Sequence, residues 1–252
     1  MKLSAPPRLA GLHHLGDLAG AEVQALAARA LELRSGASAA DLTGRALGLL
    51  FLNPSLRTQA SFQRAAQRLR MDLVHLQGDR LWALETREGA VMDGVAAEHV
   101  KEAAAVLGRY VDALGVRSFA GFRDLAEDLA DPLVNGFRRH AGVPVINLES
   151  AMWHPCQALA DWTTLDQMRV SQRSKFVLTW AWHPKPLPQA VPNSTLCMAA
   201  QRGMEVVLLH PPGYELHPKV MAEARRLSET SGGSVTMTHD RAAAFAGATV
   251  VY

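Results

Sequence analysis

The sequence predicts an α/β fold of two domains, each a parallel sheet with helices on both faces. Short apolar runs rich in β-branched residues alternate with longer amphipathic stretches, which is the pattern of strands joined by crossover helices. Polar clusters follow several of the apolar runs, at the edge where parallel sheets bind their ligands. The 252 residues are enough for two domains of ordinary size.

Eight apolar runs predict the strands, four for each domain. The first four are expected at residues 46–52, 72–77, 114–119 and 143–148. The later four are expected at residues 175–181, 205–210, 234–238 and 248–252. The boundary is therefore placed near residue 152, so that residues 1–152 form the first domain and residues 153–252 form the second.

The stretches between these runs repeat apolar residues at helical spacing. The helix that begins at residue 154 is expected to connect the two domains. The predicted helices cover residues 20–34, 59–70, 97–112, 122–141, 154–168, 193–203, 217–230 and 240–246.

Composition excludes several classes of protein. The net charge of +2 comes from scattered Lys and Arg, so nucleic-acid binding is not expected. The two cysteines, Cys156 and Cys197, are far apart and suggest neither a disulfide framework nor a zinc site, as in a reduced cytoplasm. No signal-peptide pattern or membrane-spanning apolar run occurs, so we expect a cytoplasmic protein with no membrane partner.

The first predicted strand ends in Asn53-Pro54-Ser55-Leu56-Arg57-Thr58, directly before a helix. A helix start presents unpaired backbone N–H groups and the positive end of the helix dipole. The Ser, Thr and Arg side chains add donors suited to phosphate oxygens. This pattern predicts a phosphorylated substrate, although an ordinary capped helix start with a solvated Arg would have the same sequence.

Two later motifs add to this one. Gly115-Val116-Arg117 belongs to the predicted strand at residues 114–119, and His154-Pro155-Cys156-Gln157 follows the one at residues 143–148. Together with residues 55–58, and in this order, they resemble the aspartate/ornithine carbamoyltransferase family. The likeness is greatest to its N-acetylornithine and N-succinylornithine branch. That finer likeness lies in residues 51–55, 91–94, 107–112, 177–180 and 183–187.

The resemblance implies transfer of a carbamoyl group from carbamoyl phosphate to the side-chain amine of an N-acylornithine, in arginine biosynthesis. It implies no metal, no cofactor and no covalent intermediate. His154 and Gln157 are expected to address the carbamoyl group, although a His-Pro pair is also an ordinary helix start. The phosphate is expected to contact Ser55, the backbone of Leu56, Arg57, Thr58 and Arg117.

The same resemblance assigns residues to the second substrate and to assembly. Glu149, Leu187 and Asn193 are expected to contact the acylornithine, although a lone Glu after a strand is usually just exposed. Trp82 matches an aromatic residue that reaches into a neighbouring subunit's site, which implies a homotrimer. The alternative is that Trp82 packs under its own loop.

Two features leave the function open. The chain ends on a predicted strand where the family continues, so the second domain is expected to be incomplete and the chain to be truncated. The alternative function is therefore a non-catalytic relative that binds phosphate ligands or partner subunits.

The preferred acyl group also stays open. By resemblance, acetylornithine enzymes carry Glu and succinylornithine enzymes carry Pro at the position of Ala97. Ala97 could also simply begin a helix.

Overall fold

The structure is a computed structural model that describes residues 11–78, 82–185 and 187–252. Within these residues the chain forms two compact units, one of residues 11–13 and 37–154 and one of residues 14–36 and 155–252. Each unit is a parallel sheet covered by helices, so the predicted α/β class is confirmed.

The helices and strands follow the predicted alternation closely. All eight predicted strands are present, and three strands of two residues join them. In chain order the elements are β1 (Gly11–Leu12), α1 (Gly20–Arg34), β2 (Ala46–Phe51), α2 (Leu56–Leu69), β3 (Asp72–Gln77), β4 (Leu84–Glu85), β5 (Glu98–His99), α3 (Val100–Leu107), β6 (Ala113–Arg117), α4 (Leu125–Ala130), α5 (Pro132–His140), β7 (Val145–Glu149), α6 (Pro155–Gln167), β8 (Lys175–Thr179), α7 (Ala190–Gln201), β9 (Glu205–Leu209), α8 (Pro218–Ser231), β10 (Ser234–Thr238), α9 (Arg241–Phe245) and β11 (Val250–Val251).

The first sheet has the strand order β1-β7-β6-β2-β3, and every neighbouring pair is parallel. Successive side chains of a strand point to opposite faces, and β2 is buried on both. Leu49 and Phe51 pack with Ala66 of α2, whereas Leu50 packs with Val100 of α3 and Phe137 of α5. The two apolar clusters hold helices on both faces of the sheet.

The second sheet is smaller, with the parallel order β10-β9-β8-β11. Ala244 of α9 packs with Val177 and Val207 on one face, while α7 contacts β8 and β9. Ten of the 12 residues of α7 are buried, because α6 and α8 also pack on it. Helix α1 joins this unit because it packs on α6, where Gln24 accepts a hydrogen bond from the indole of Trp162 at 3.2 Å.

Two predicted helices are wrong in their extent. The helix expected at residues 97–112 spans only α3, because residues 98–99 pair with β4 and His99 caps the helix by accepting from the N–H of Lys101. The helix expected at residues 122–141 is two helices, because Asp131 takes a left-handed conformation before Pro132. Proline disfavours helical geometry in the residue before it.

Helix α2 begins at Leu56 rather than at residue 59, because Ser55 caps it. Helix α7 likewise begins at Ala190, three residues before the predicted start. None of the described helices combines the length and the apolar character needed to cross a bilayer.

Candidate active site

Three neighbouring strands of the first sheet end at one edge. Strands β7, β6 and β2 are adjacent and parallel, so their carboxyl ends lie side by side. Residues 53–58 follow β2, Arg117 ends β6, and residues 149–154 end and follow β7. The first unit therefore brings most of the predicted carbamoyl phosphate residues to one edge.

The start of α2 has the geometry of an anion site. The hydroxyl of Ser55 accepts a hydrogen bond from the N–H of Thr58 at 3.2 Å, so the ordinary cap bond is present. Leu56 and Arg57 are exposed, which leaves the guanidinium of Arg57 open to solvent. The first turn contains no acidic residue that would offset the positive end of the helix dipole.

The loops that follow β2 and β6 are joined to each other. The side-chain oxygen of Asn53 accepts a hydrogen bond from the N–H of Phe119 at 2.7 Å. The guanidinium of Arg117 lies over the ring of Phe119, with Cζ of Arg117 4.4 Å from the ring centre. The start of α2 and the end of β6 are thus fixed relative to each other.

A buried ion pair connects β6 to β7. Nη1 of Arg117 lies 2.5 Å from Oε2 of Glu149, and both residues are buried. The sheet register skips Leu148 at this point, because Val116 pairs with Asn147 while Arg117 pairs with Glu149. This bulge turns Glu149 towards Arg117. Nε of Arg117 has no hydrogen-bond partner among the described residues, so a donor remains for a ligand.

His154 lies against the same ion pair. Its Nε2 is 3.5 Å from Oε2 of Glu149, and its side chain is 13% exposed. Burial, with a smaller effect of the Arg117 charge, lowers the pKa of His154 to about 4. Burial raises the pKa of Glu149, although the Arg117 charge opposes that rise. At neutral pH His154 is therefore an uncharged imidazole that contacts a paired carboxylate.

Three buried polar residues beside these strand ends are not among the predicted site residues: Asn147 of β7, Ser150 directly after β7, and Asp131 between α4 and α5. Asn147, Ser150 and Asp131 are buried and hydrogen-bonded to one another in a chain. Asn147 was a visible signal, because it interrupts an apolar strand and a buried amide requires partners.

Helix α6, in the second unit, carries the remaining predicted carbamoyl residue. Nε2 of Gln157 donates to Oδ1 of Asp161 at 2.9 Å, one helical turn later. Burial raises the pKa of the neighbouring Cys156 to about 12, so its thiol is protonated and not a nucleophile at neutral pH. Cys156 and Cys197 both lie in the described part of the chain and are not disulfide-bonded.

The second sheet has a different carboxyl edge. Trp180, which follows β8, stacks on His210 with ring centres 5.0 Å apart. His210 in turn meets His239 edge to face at 5.3 Å. A cavity of about 410 Å³ opens beside Trp180, and the exposed Leu187 lines it. Asn193 lies in α7 and is buried.

Trp82 lies just before β4. Its side chain is 62% exposed, and its indole N–H donates to Oε2 of Glu98 at 2.9 Å. The ring is therefore held on the surface by one hydrogen bond. Among residues 11–78, 82–185 and 187–252, no group of three or more His, Cys, Asp or Glu side chains is arranged to hold a metal ion.

Comparison with known proteins confirms the resemblance. Residues 11–167 match the carbamoyl-P binding domain of aspartate/ornithine carbamoyltransferases, and residues 187–252 match their Asp/Orn binding domain. The N-acetylornithine carbamoyltransferase of Xanthomonas axonopodis pv. citri is 43% identical over 241 residues, which are 94% of this chain and 70% of that protein. The N-succinylornithine carbamoyltransferase of Bacteroides fragilis is 42% identical over 209 residues, which are 82% of this chain and 62% of that protein.

A solved structure has the same fold. An acetylornithine transcarbamylase complexed with acetylcitrulline is 42% identical and superposes with a TM-score of 0.92, over 97% of this chain and 74% of that one. Both domains of the family are matched in order along the sequence. The chain belongs to the aspartate/ornithine carbamoyltransferase family.

Proposed function

We propose that the protein transfers the carbamoyl group of carbamoyl phosphate to the side-chain amine of N-acetylornithine, a step of arginine biosynthesis. The observation that carries the proposal is the contact of Arg117, Glu149 and His154 at one sheet edge, beside the exposed start of α2. Relatives 43% identical are named for this substrate, and one solved relative holds acetylcitrulline, which is carbamoylated acetylornithine.

The phosphate half of carbamoyl phosphate binds at the start of α2. The backbone N–H of Leu56 and the side chains of Ser55, Arg57 and Thr58 donate to its oxygens. Arg117 adds a buried positive charge, and its Nε is the donor left for the ligand in the described structure. Phosphate is the leaving group, so these donors stabilise the charge that develops when the carbon–oxygen bond breaks.

His154 and Gln157 contact the carbamoyl half. A neutral imidazole can donate one N–H to the carbonyl oxygen, and the low pKa of His154 keeps it neutral at physiological pH. Gln157 contacts the carbamoyl amide. The uncharged amine of the acylornithine attacks the polarised carbonyl carbon, and catalysis consists of positioning and electrostatic stabilisation.

Carbamoyl phosphate binding is assigned to residues 1–152 and acylornithine binding to residues 153–252, with residues 14–36 packing in the second unit. The apolar cavity beside Leu187 supports the second assignment, because an acyl chain needs an apolar lining with few polar groups. Glu149 and Asn193 contribute polar contacts to the acylornithine. Trp82 completes the site of a neighbouring subunit in a cytoplasmic homotrimer, and its exposure supports this role.

A carbamoylation assay tests the proposal. The protein is incubated with carbamoyl phosphate and N-acetyl-, N-succinyl- or free ornithine, and both phosphate release and the carbamoylated product are measured. We expect product from N-acetylornithine and none from free ornithine, with His154→Ala as the inactive control. Carbamoyl phosphate binding without product from any of the three amines would favour the non-catalytic alternative, which the enzyme names of the relatives disfavour.

A further inference from the structure

Asp131 lies between α4 and α5, and its side chain does not cap α5. An Asp before a Pro at a helix start is normally a capping residue. Asp124 and Asp240 behave in this way, since each accepts hydrogen bonds from two backbone N–H groups. Asp131 instead has a left-handed backbone, with φ 48° and ψ 51°, a conformation that Asp adopts more readily than most residues with a Cβ. The departure from local preference is therefore the missing cap bond, which leaves the carboxylate for a partner elsewhere.

The carboxylate of Asp131 is bound to the loop that follows β7. It accepts hydrogen bonds from the hydroxyl of Ser150 and from the backbone N–H groups of Ala151 and Met152. Asp131 is only 5% exposed, and burial raises its pKa to about 6 in spite of these bonds. A buried carboxylate is costly, so its three donors form a built site rather than a chance contact.

The loop is fixed at a second point by Asn147. The amide of Asn147 donates to the hydroxyl of Ser150 at 2.9 Å and to the carbonyl oxygens of His13 and Trp153 at 3.2 Å each. Its oxygen accepts from the N–H of Glu149 at 3.0 Å. Ser150 also accepts from the N–H of Trp153 at 3.2 Å. Residues 147–153 are thus tied to one another and to Asp131.

The bound loop carries two residues of the candidate site, one at each end. Glu149 precedes Ser150, and His154 follows Trp153. The carboxylate of Glu149 contacts Arg117 at 2.5 Å and His154 at 3.5 Å. A shift of about 1 Å at either end of the loop would displace Glu149 or His154 from this geometry, and misplacement of that size is costly for catalysis.

We propose that Asp131 and Ser150 are positioning residues that hold the loop of residues 149–154 and so set the contacts of His154 with Glu149. The Asp131–Ser150 pair makes the site for the carbamoyl group depend on a carboxylate that lies outside it. The ligand named here rests on the proposed function. The positioning role does not rest on the proposed function, because the pKa of His154 reports it in the ligand-free protein.

The first test measures the protonation of His154 by NMR in the ligand-free protein. In the wild type the ring stays neutral from about pH 5 to about pH 7, because it is buried. In Asp131→Ala the released loop exposes the ring, and the pKa of His154 moves towards the ordinary value of 6.5. Ser150→Ala shifts the pKa in the same direction by less. Asp124→Ala, which removes an ordinary cap of α4, leaves it unchanged.

The second test compares two ligands by calorimetry. Asp131→Ala lowers the affinity for carbamoyl phosphate about tenfold, the effect of losing one strong hydrogen bond, and changes that for inorganic phosphate less than about twofold. Asp131→Asn keeps an acceptor for the backbone N–H groups and recovers part of the loss. If Asp131→Ala does not fold, Asp131→Asn and Ser150→Ala provide the same comparison.

The outcomes separate the positioning role from general stability. A folded Asp131→Ala in which His154 stays neutral would overturn the inference. Equal losses for both ligands would overturn it too, because they indicate only a smaller folded fraction. A wild type that does not bind carbamoyl phosphate, with a His154 pKa that still responds to Asp131→Ala, refutes the proposed function and supports the positioning role.

Discussion

The carboxyl edges of the two sheets differ in what they bury. The first edge buries charge, because Arg117 and Glu149 form an ion pair beside a neutral imidazole. The second edge carries rings, because Trp180 stacks on His210 next to a cavity of about 410 Å³. Both sheets are parallel and covered by helices, so the difference lies in the few residues that follow the strands.

This difference shows how one architecture can suit two kinds of ligand group, one charged and one apolar. Buried charges need fixed partners, so the first edge is supported by hydrogen bonds along its loops. An apolar ligand group is bound through the shape and the apolar surface of its pocket, so the second edge is formed by aromatic rings and aliphatic side chains. The first edge should therefore respond strongly to loss of a charge, and the second to loss of apolar area.

The largest effect is expected from Arg117→Ala. It leaves Glu149 buried without its counter-charge, so we expect the free energy of unfolding to fall by about 3–5 kcal/mol. Denaturant unfolding measures this change. Lys185→Ala, at an exposed position of the other unit, is the control and should change stability by less than about 0.5 kcal/mol.

The double variant Arg117→Ala with Glu149→Gln sharpens the result. Removing the unpaired charge should recover much of the lost stability, because a neutral amide is less costly to bury. If the single and double variants are equally unstable, the loss comes from packing rather than from charge.

The next effect is a pair of opposite pH dependences at the first edge. The folded pKa of His154 is about 4 against an ordinary 6.5, so its contribution to stability is lost as the pH falls through this window. The folded pKa of Asp131 is about 6 against an ordinary 3.8, so its contribution grows as the pH falls. The two contributions offset each other in the wild type between about pH 4 and about pH 6.

Removing one group should reveal the other. From about pH 6.5 to about pH 4.5, the free energy of unfolding of His154→Gln should rise relative to wild type by about 2 kcal/mol, and that of Asp131→Asn should fall by a similar amount. Denaturant unfolding at both pH values measures the changes. Parallel pH profiles of the two variants would contradict the assignment.

A smaller effect is expected on ligand affinity, and it should differ between variants of the two edges. Arg57→Ala should weaken carbamoyl phosphate binding by about 1.5–3 kcal/mol, because it removes a charge-assisted contact to phosphate. Leu187→Ala should leave this affinity unchanged and weaken binding of an N-acetylornithine analogue, measured with phosphate present. Calorimetry gives both affinities. Equal carbamoyl phosphate affinities in wild type and Arg57→Ala would remove Arg57 from the site.

The strands were predictable because of how parallel sheets are buried. Strands covered on both faces appear in the sequence as continuous apolar runs, and all eight predicted runs form strands. The three additional strands, β1, β4 and β5, were not predictable, since two residues are too few to show a period. The break between α4 and α5 was visible in principle, because Asp131-Pro132 interrupts the helical pattern.

The site was predictable in part. The sequence singled out Arg117, Glu149 and His154 at or near the ends of strands, but the contacts among them depend on which strands are neighbours. Glu149 looked like an exposed residue and is buried, because the bulge in β7 turns it towards Arg117. The role of Asp131 had no local signal, since its sequence is that of an ordinary helix cap.

The smallest effect concerns the acyl group and depends on Ala97. Ala97 is exposed and precedes β5, and α3 begins only at Val100, so Ala97 does not begin a helix. The next residue, Glu98, holds the indole of Trp82. A change at position 97 therefore lies beside the aromatic residue proposed to reach a neighbouring site.

We expect the wild type to accept both N-acetyl- and N-succinylornithine, and Ala97→Glu to disfavour the succinyl substrate. The added carboxylate repels the free carboxylate of the succinyl group by about 1 kcal/mol in a solvated site, which is about a fivefold change in the kcat/KM ratio. Ala97→Gln has nearly the same size without the charge and should leave the ratio close to that of the wild type. The effect of Ala97→Glu should weaken at high salt, because solvent-exposed charges are screened. An unchanged ratio in Ala97→Glu, or an equal change in Ala97→Gln, would mean that charge at this position does not select the acyl group.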